Sequence, residues 1–278
     1  MQINSGTLYL VGTPIGNLSD LSPRAVEVLS QVDFVAAEDT RVSGKLLSCF
    51  DIKKPMVSYY EHNKYERAQV IVERLLSGES CAVVTDAGMP CISDPGEVLV
   101  KVCADNQIPT VVIPGPSAVI AALCISGLAT SRFSFEGFLT TNKTGRMEHL
   151  NQVKDDTHTL IFYEAPHKLL TTLRDMCAVF GENRKISLAR ELTKLHEEII
   201  RTTLGEAVSR YENEAPRGEF VLIVEGVQPD HQPHATLEEA VFRARQLMVE
   251  GHPASYAAKT AAKELGFKKG DIYDAIKS

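Results

Sequence analysis

C-A-V-V-T-D-A-G-M-P-C-I-S-D-P-G, residues 81–96, is a short apolar run that stops at a loop rich in Asp, Gly and Pro. A run of this length bounded by turn residues reads as a fully buried strand. The same reading applies to Thr7–Val11, Phe34–Ala37, Met56–Tyr59 and Thr110–Ile113. Amphipathic stretches lie between them. One opens at Ser22-Pro23, an N-cap followed by proline at the first helical position. Another covers Tyr65 to Leu76 and ends before Ser77-Gly78. Alternating strands and helices predict a mainly parallel sheet with helices on its faces. In such sheets ligands bind beyond the carboxyl ends of the strands, so the loops after the strands are where chemistry is expected.

The loop 86–96 carries two Asp, two Gly and two Pro, a rigid string of exposed amides and carbonyls suited to a small polar ligand. Asp86 can accept from an ammonium or a hydroxyl. Turn formation and helix capping account for Asp94-Pro95 but not for the whole string. Pro114-Gly115-Pro116-Ser117-Ala118 opens a small-residue helix, with Ser117 placed as N-cap, as a hydroxyl facing a ligand, or as both. Glu38-Asp39-Thr40-Arg41 ends the second strand, and its charges are either a structural ion-pair network or substrate contacts and proton handlers. Gly12-Thr13-Pro14-Ile15-Gly16 follows the first strand; it is neither a dinucleotide fingerprint nor a P-loop.

From about residue 132 to 226 the pattern changes. Thr159–Tyr163, Ile186–Ala189, Glu198–Arg201 and Phe220–Val224 read as strands. Leu169, Leu170, Leu173, Met176, Cys177 and Phe180 form the apolar stripe of one helix. Two strands close together around Leu195-His196 predict a hairpin in a mixed sheet. Arg190-Glu191-Leu192-Thr193-Lys194 and Glu164-Ala165-Pro166-His167, with Lys143 and Arg146, are candidate contacts for phosphates. The polar, proline-containing 227–235 reads as a linker, and 236–278 as helix, Gly-containing turn and helix. The expected domains are therefore 1–131, 132–226 and the helical tail 236–278. Lys259, Lys263, Lys268, Lys269 and Lys277 make the tail either a nucleic-acid contact or a packing module.

The 278 residues carry 29 Lys+Arg against 36 Asp+Glu, a net charge of −7, with 44% apolar and 23% charged residues. That is the composition of a folded globular chain, and it excludes coating of nucleic acid by bulk positive charge. The tail alone is +1, leaving −8 for the rest. The six cysteines form no CxxC pair and sit among apolar residues, so they are expected to be free, buried thiols with no zinc site. The N-terminus lacks the features of an export signal. Residues 106–131 carry no charge, but Pro109, Pro114, Gly115 and Pro116 break them into an expected buried strand, turn and buried helix rather than a membrane span. A cytoplasmic chain is expected.

Taken together, V-G-T-P-I-G-N-L (11–18), A-A-E-D-T-R (36–41), D-A-G-M-P-C-I-S-D-P-G (86–96), P-G-P-S-A (114–118), F-E-G-F-L (135–139), F-Y-E-A-P-H (162–167), A-R-E-L-T-K (189–194) and R-G-E-F-V-L-I-V-E-G (217–226) resemble the tetrapyrrole methylase superfamily of S-adenosylmethionine-dependent methyltransferases. The resemblance is closest to its branch acting on ribosomal RNA. One departure is Thr140 after Leu139, where family members usually have Pro. The resemblance implies an α/β fold of the class III methyltransferase type, with two α/β domains, S-adenosylmethionine in the cleft between them, and a helix-turn-helix tail. It also implies a homodimer acting on 16S rRNA or the small ribosomal subunit, with a cytidine ribose 2′-O-methylated in the decoding region. No membrane, DNA or metal is expected.

On that basis Pro14, Asp86, Ala87, Gly88, Met89, Ser117, Ala118 and Tyr163 are expected to contact the cofactor. Glu38, Asp39, Arg41 and Lys194 are the expected catalytic set, and Lys143, Arg146, Arg190, Lys268 and Lys269 the expected RNA contacts. Two alternatives differ in substrate. A precorrin C-methyltransferase would carry a different first loop and has no use for the tail. A ligand-sensing DNA-binding regulator would shift DNA without transferring a methyl group.

Overall fold

The computed structural model describes residues 3–228 and 236–277. The first sheet is built from β1 (Leu8–Val11), β2 (Phe34–Ala37), β3 (Met56–Ser58), β4 (Cys81–Val84) and β5 (Thr110–Ile113). Interleaved with these are α1 (Pro23–Gln31), α2 (Thr40–Cys49), α3 (Lys64–Leu76) and α4 (Glu97–Asp105). The strand order is β3-β2-β4-β1-β5, with every pairing parallel, as the strand–helix alternation predicts. Every residue of β2 and β4 is buried, which is why these strands read as continuous apolar runs. α1 starts where its cap residues dictate, with the Ser22 hydroxyl accepting from the Ala25 amide. α3 buries Ala68, Ile71, Val72 and Leu75, one face at helical spacing.

The chain continues through α5 (Ala118–Ser126), β6 (Phe133–Phe138), α6 (Lys143–Val153), β7 (Thr159–Glu164), α7 (Pro166–Phe180), β8 (Lys185–Arg190), β9 (Glu198–Thr203), α8 (Leu204–Asn213) and β10 (Phe220–Val224). The second sheet has the order β6-β7-β10-β8-β9, mixed as expected: β6 and β7 are parallel and the other pairs antiparallel. Its alternation sorts side chains onto two faces. Leu160, Phe162, Leu222 and Val224 pack with α7 and α8 on one side. Ile161, Ala189, Val221 and Ile223 pack on the other side with Val119, Ala122 and Leu123 of α5. The helix that follows the last strand of the first sheet thus covers the second. Both sheets lie in one compact unit, residues 1–227.

Three expectations need correction. β6 is a strand not foreseen, and a bulge between Phe135 and Gly137 shifts its register. The uncharged segment 106–131 is not wholly buried: β5 is an edge strand with Val112 53% exposed, and Ile120 of α5 is 48% exposed. Of the cysteines, which are all free, Cys81 and Cys103 are buried but Cys49 and Cys124 are exposed. Among the described residues no helix is long and apolar enough to cross a membrane.

Residues 228–278 form a separate unit. It contains α9 (Leu237–Val249), α10 (Ala254–Leu265) and α11 (Lys269–Lys277). The alanines read from the sequence, Ala257, Ala258, Ala261 and Ala262, join Ala240, Ala244, Leu247 and Ile272 in its own small core. Gly266 ends α10 in the left-handed conformation, φ 76°, and makes the turn between α10 and α11. Of the expected linker 227–235, residues 229–235 lie outside the described residues.

Because α5 is the cover of one sheet face, Leu123→Ala, at a site 3% exposed, is expected to cost about 2–5 kcal/mol. Chemical denaturation of the 1–278 chain measures it.

Candidate active site

Three loops meet at the carboxyl edge of the first sheet. The loop after β1 bonds to the loop after β4 through reciprocal backbone pairs, Thr13 N to Gly88 O at 2.9 Å and Gly88 N to Thr13 O at 3.2 Å. The Thr13 hydroxyl adds a bond to the Thr85 carbonyl at 3.1 Å. The loop after β5 closes on the first one even more tightly. A Cβ on Gly115 would stand 2.8 Å from the Cα of Gly12, and one on Gly12 would stand 2.7 Å from the Cα of Gly115. Only two glycines allow backbone to lie on backbone here.

Above these loops is a cavity of about 470 Å³, in the size range of small-molecule sites. Its floor is Thr85 to Met89 with Ser117 and Ala118, and its far wall comes from the second sheet and its loops: Phe138, Tyr163, Leu192, Lys194 and Glu219. The β6 bulge delivers Phe138, 58% exposed, to this wall, where its ring lies 5.3 Å from that of Tyr163. Burial pushes the Tyr163 hydroxyl up to about 12, so it stays neutral.

Carboxylates dominate the polar lining. The Thr85 hydroxyl donates to Glu38 Oε2 at 2.7 Å. Asp86 Oδ1 accepts from the Asp39 amide at 3.2 Å, and desolvation with the charge of Glu38 pushes its carboxyl up. Asp94 is raised further, to about 6, by burial, then by Glu38 and Asp86, with Thr85 opposing. Lys194 is the cation of the wall, and its Nζ binds Glu191 at 2.9 Å and Glu219 at 2.8 Å. Among the described residues, no group of three or more His, Cys, Asp or Glu side chains is arranged to hold a metal ion.

The structure brings together Asp86, Ala87, Gly88, Met89, Ser117, Ala118 and Tyr163 around one cavity, with Glu38 and Lys194 beside them. Pro14 does not line it, although its neighbour Ile15 does. Asp39 and Arg41 lie outside the lining. Asp39 caps α2 through the Arg41 amide, and its carboxylate is gripped by the Arg41 guanidinium at 2.6 Å, which holds it far below the usual carboxylate range. Ser117 occupies the N-cap position of α5 without making a side-chain cap bond, so its hydroxyl stays available to the cavity.

Arg146 departs from its expected role as an RNA contact. It is 7% exposed, paired with Asp175 at 2.7 Å and bonded to the Thr140 and Thr141 carbonyls, so its donors are spent inside the fold. Arg190 is likewise engaged by Glu198 and the Arg217 carbonyl. Lys143, Lys268 and Lys269 are exposed, although Lys269 also donates to the Ser255 hydroxyl. Thr85, Asp94 and Phe138 line the cavity without having been expected there, while Glu219 lies in the loop before Phe220, a candidate cofactor contact. The sequence reads Asp94 as a turn former and cap, yet Gly96 holds the N-cap of α4 and Asp94 lines the cavity.

The donor set suits S-adenosylmethionine. Main-chain groups of 86–89 and the uncapped Ser117 offer hydrogen bonds, Phe138 and Tyr163 offer apolar ring surface, and the carboxylates favour a sulfonium cation. Gly115→Ala should force the two backbones apart and weaken binding of S-adenosylhomocysteine by roughly tenfold or more, about 1.4 kcal/mol. Titration calorimetry reads this. A pH effect follows as well. Asp94 holds its proton more tightly folded than unfolded, so its contribution to stability falls as pH rises from the ordinary carboxyl value of 3.8 to about 6. Asp94→Asn is therefore expected to raise the melting temperature at pH 7 and to lose that advantage below pH 4.

Residues 7–208 match the model of the Tetrapyrrole (Corrin/Porphyrin) Methylases. The chain is 46% identical over 268 residues to "Ribosomal RNA small subunit methyltransferase I" of Synechocystis sp., covering 96% of each. It is 45% identical over 272 residues to the protein of the same name in Haemophilus influenzae, covering 97% of this chain and 95% of that one. The solved structure of a cobalt precorrin-4 methyltransferase superposes with a TM-score of 0.59 at 16% identity, covering 79% of this chain and 95% of that one, a likeness of fold. The chain belongs to the tetrapyrrole methylase family, whose members take their methyl group from S-adenosylmethionine.

Proposed function

We propose that this methyltransferase 2′-O-methylates a cytidine ribose in the decoding region of 16S rRNA. The observation that carries the reading is the extent of the match. Relatives named for ribosomal RNA align over nearly the whole chain, whereas the precorrin enzyme structure covers 79% of it. The site is compatible with such a reaction. A ribose hydroxyl attacking a sulfonium methyl needs in-line placement, and positioning alone is worth about 7–11 kcal/mol. The cavity joins the expected cofactor loops to a wall from the second sheet, so a nucleotide entering it would face the methyl donor.

Within this reading S-adenosylmethionine, when bound, supplies the electrophilic methyl. Asp86 to Met89, Ser117 and Ala118 hold it, and Tyr163 and Phe138 close the far side. Lys194 organises Glu191 and Glu219 at the rim. The exposed Lys143, Lys268 and Lys269 contact RNA phosphates. The work is done in the cytoplasm, on rRNA or the small ribosomal subunit. We also read the active form as a homodimer, because the uncharged run 106–131 leaves Val112 and Ile120 about half exposed.

Mapping 2′-O-methyl sites in 16S rRNA from cells lacking the protein tests the activity. One cytidine should lose its methyl group and regain it when the wild-type gene is restored. An unchanged map overturns the reading. Sedimentation equilibrium tests the assembly: twice the mass of the chain is expected, and a monomer at micromolar concentration would refute the dimer.

A further inference from the structure

We propose that Asp94 is the general base of the methyl transfer, receiving the proton of the attacking ribose hydroxyl, with Thr85 bridging it to Glu38. The inference rests on the ribose reading above and adds the residue that carries the proton.

The geometry comes from the loop after β4. Pro95 confines Asp94 to extended backbone, and the neighbours on either side are unusual: Cys91 and Ser93 have φ of 74° and 63°, and Gly96 has φ 149°. This backbone holds Asp94 in the cavity wall together with Thr85, Glu38, Phe138 and Tyr163. Thr85 is a bridge. Its one hydroxyl hydrogen goes to Glu38 at 2.7 Å, and the same side chain reaches Asp94, so it can fully satisfy only one carboxylate at a time.

The other charged groups are less suited. Asp39 is clamped by Arg41, which leaves its carboxylate a weak base. The Lys194 ammonium is protonated and pinned between Glu191 and Glu219, so it has no lone pair to offer. Asp86 spends an oxygen on the Asp39 amide, and Glu38 spends one on Thr85. Glu164 is occupied at both oxygens, by the Ala165 amide and the Thr172 hydroxyl. Asp94 lines the same cavity, and burial with the neighbouring Glu38 and Asp86 raises its carboxyl to about 6. The titratable groups around it are Glu38, Asp86, Tyr163 and Cys91, and each disfavours a negative charge on Asp94 when itself ionised. A base poised near working pH accepts a proton in the transition state without being trapped by it beforehand.

The step balances. The ribose O–H bond breaks and its proton passes to an Asp94 oxygen. The oxygen's electron pair forms the new bond to the methyl carbon. The carbon–sulfur bond breaks with its pair going to sulfur, giving a neutral thioether. Carboxylate and sulfonium both end uncharged, and Asp94 then releases its proton to water.

The test compares wild type, Asp94→Asn and Glu38→Gln in single-turnover methylation of small-subunit RNA from pH 5 to 8, with calorimetric binding of S-adenosylhomocysteine. Asp94→Asn should lower the rate by about 10²-fold or more with cofactor binding changed less than about threefold. In wild type the rate should climb with pH to a plateau above about pH 6, a limb that Asp94→Asn abolishes. A rate within about threefold of wild type, a loss explained by weaker cofactor binding, or a surviving acidic limb each overturns the proposal. A second measurement needs no RNA: the Asp94 side-chain carboxyl is followed by carbon NMR in the full-length wild type and in Glu38→Gln. Titration near pH 6 that moves down in Glu38→Gln supports the assignment, and titration in the ordinary carboxylate range refutes it. A wild type that titrates this way but never methylates rRNA refutes the rRNA reading instead.

Discussion

One helix holds the arrangement together. α5 begins at the carboxyl edge of the first sheet and packs Val119, Ala122 and Leu123 against the second. Its sequence, A-V-I-A-A-L-C-I-S, has no polar stripe: one face meets strands, Ile120 and Cys124 stand exposed on another, and Arg201 donates to the Ile125 and Ser126 carbonyls at its end. Since the first turn of that helix also supplies Ser117 and Ala118 to the cavity, its floor and its second-sheet wall are fixed by the same rigid element. The Gly12–Gly115 contact then sets how closely the floor loops lie. Displacing α5 would separate the two halves of the site and expose an apolar sheet face together.

The strands of the first sheet were legible because parallel strands covered on both faces need apolar side chains at every position, and β2 and β4 have them. β6 was not. Phe133-Ser134-Phe135-Glu136-Gly137-Phe138 is half-exposed and interrupted by a bulge, so neither continuous apolarity nor clean alternation marks it. The change to a mixed sheet was readable from the hairpin near Leu195, since antiparallel neighbours need only a short turn.

For the site, the loops themselves stood out, but the roles of individual charges did not. Glu38 and Asp39 are adjacent in sequence, yet one faces the cavity and the other caps α2, a division set by the helix start rather than by composition. Arg146 looked like a free cation because its partner, Asp175, is 29 residues away on α7. Asp94 was hidden for the opposite reason. Asp-Pro-Gly is so common a turn that a functional carboxylate inside it leaves no local mark.

The composition of the cavity wall limits how a polynucleotide could approach it. Glu38, Asp86, Asp94, Glu164 and Glu219 outnumber Lys194 there, and Lys194 is itself neutralised by two carboxylates. Such a field repels phosphate diesters and tolerates a neutral sugar. A strand of RNA would have to kink so that one ribose points inward while the phosphates on either side stay out at the rim. Discrimination would then operate on how readily a strand can be bent, before any base is read, and rigid duplex would be excluded by its own backbone charge.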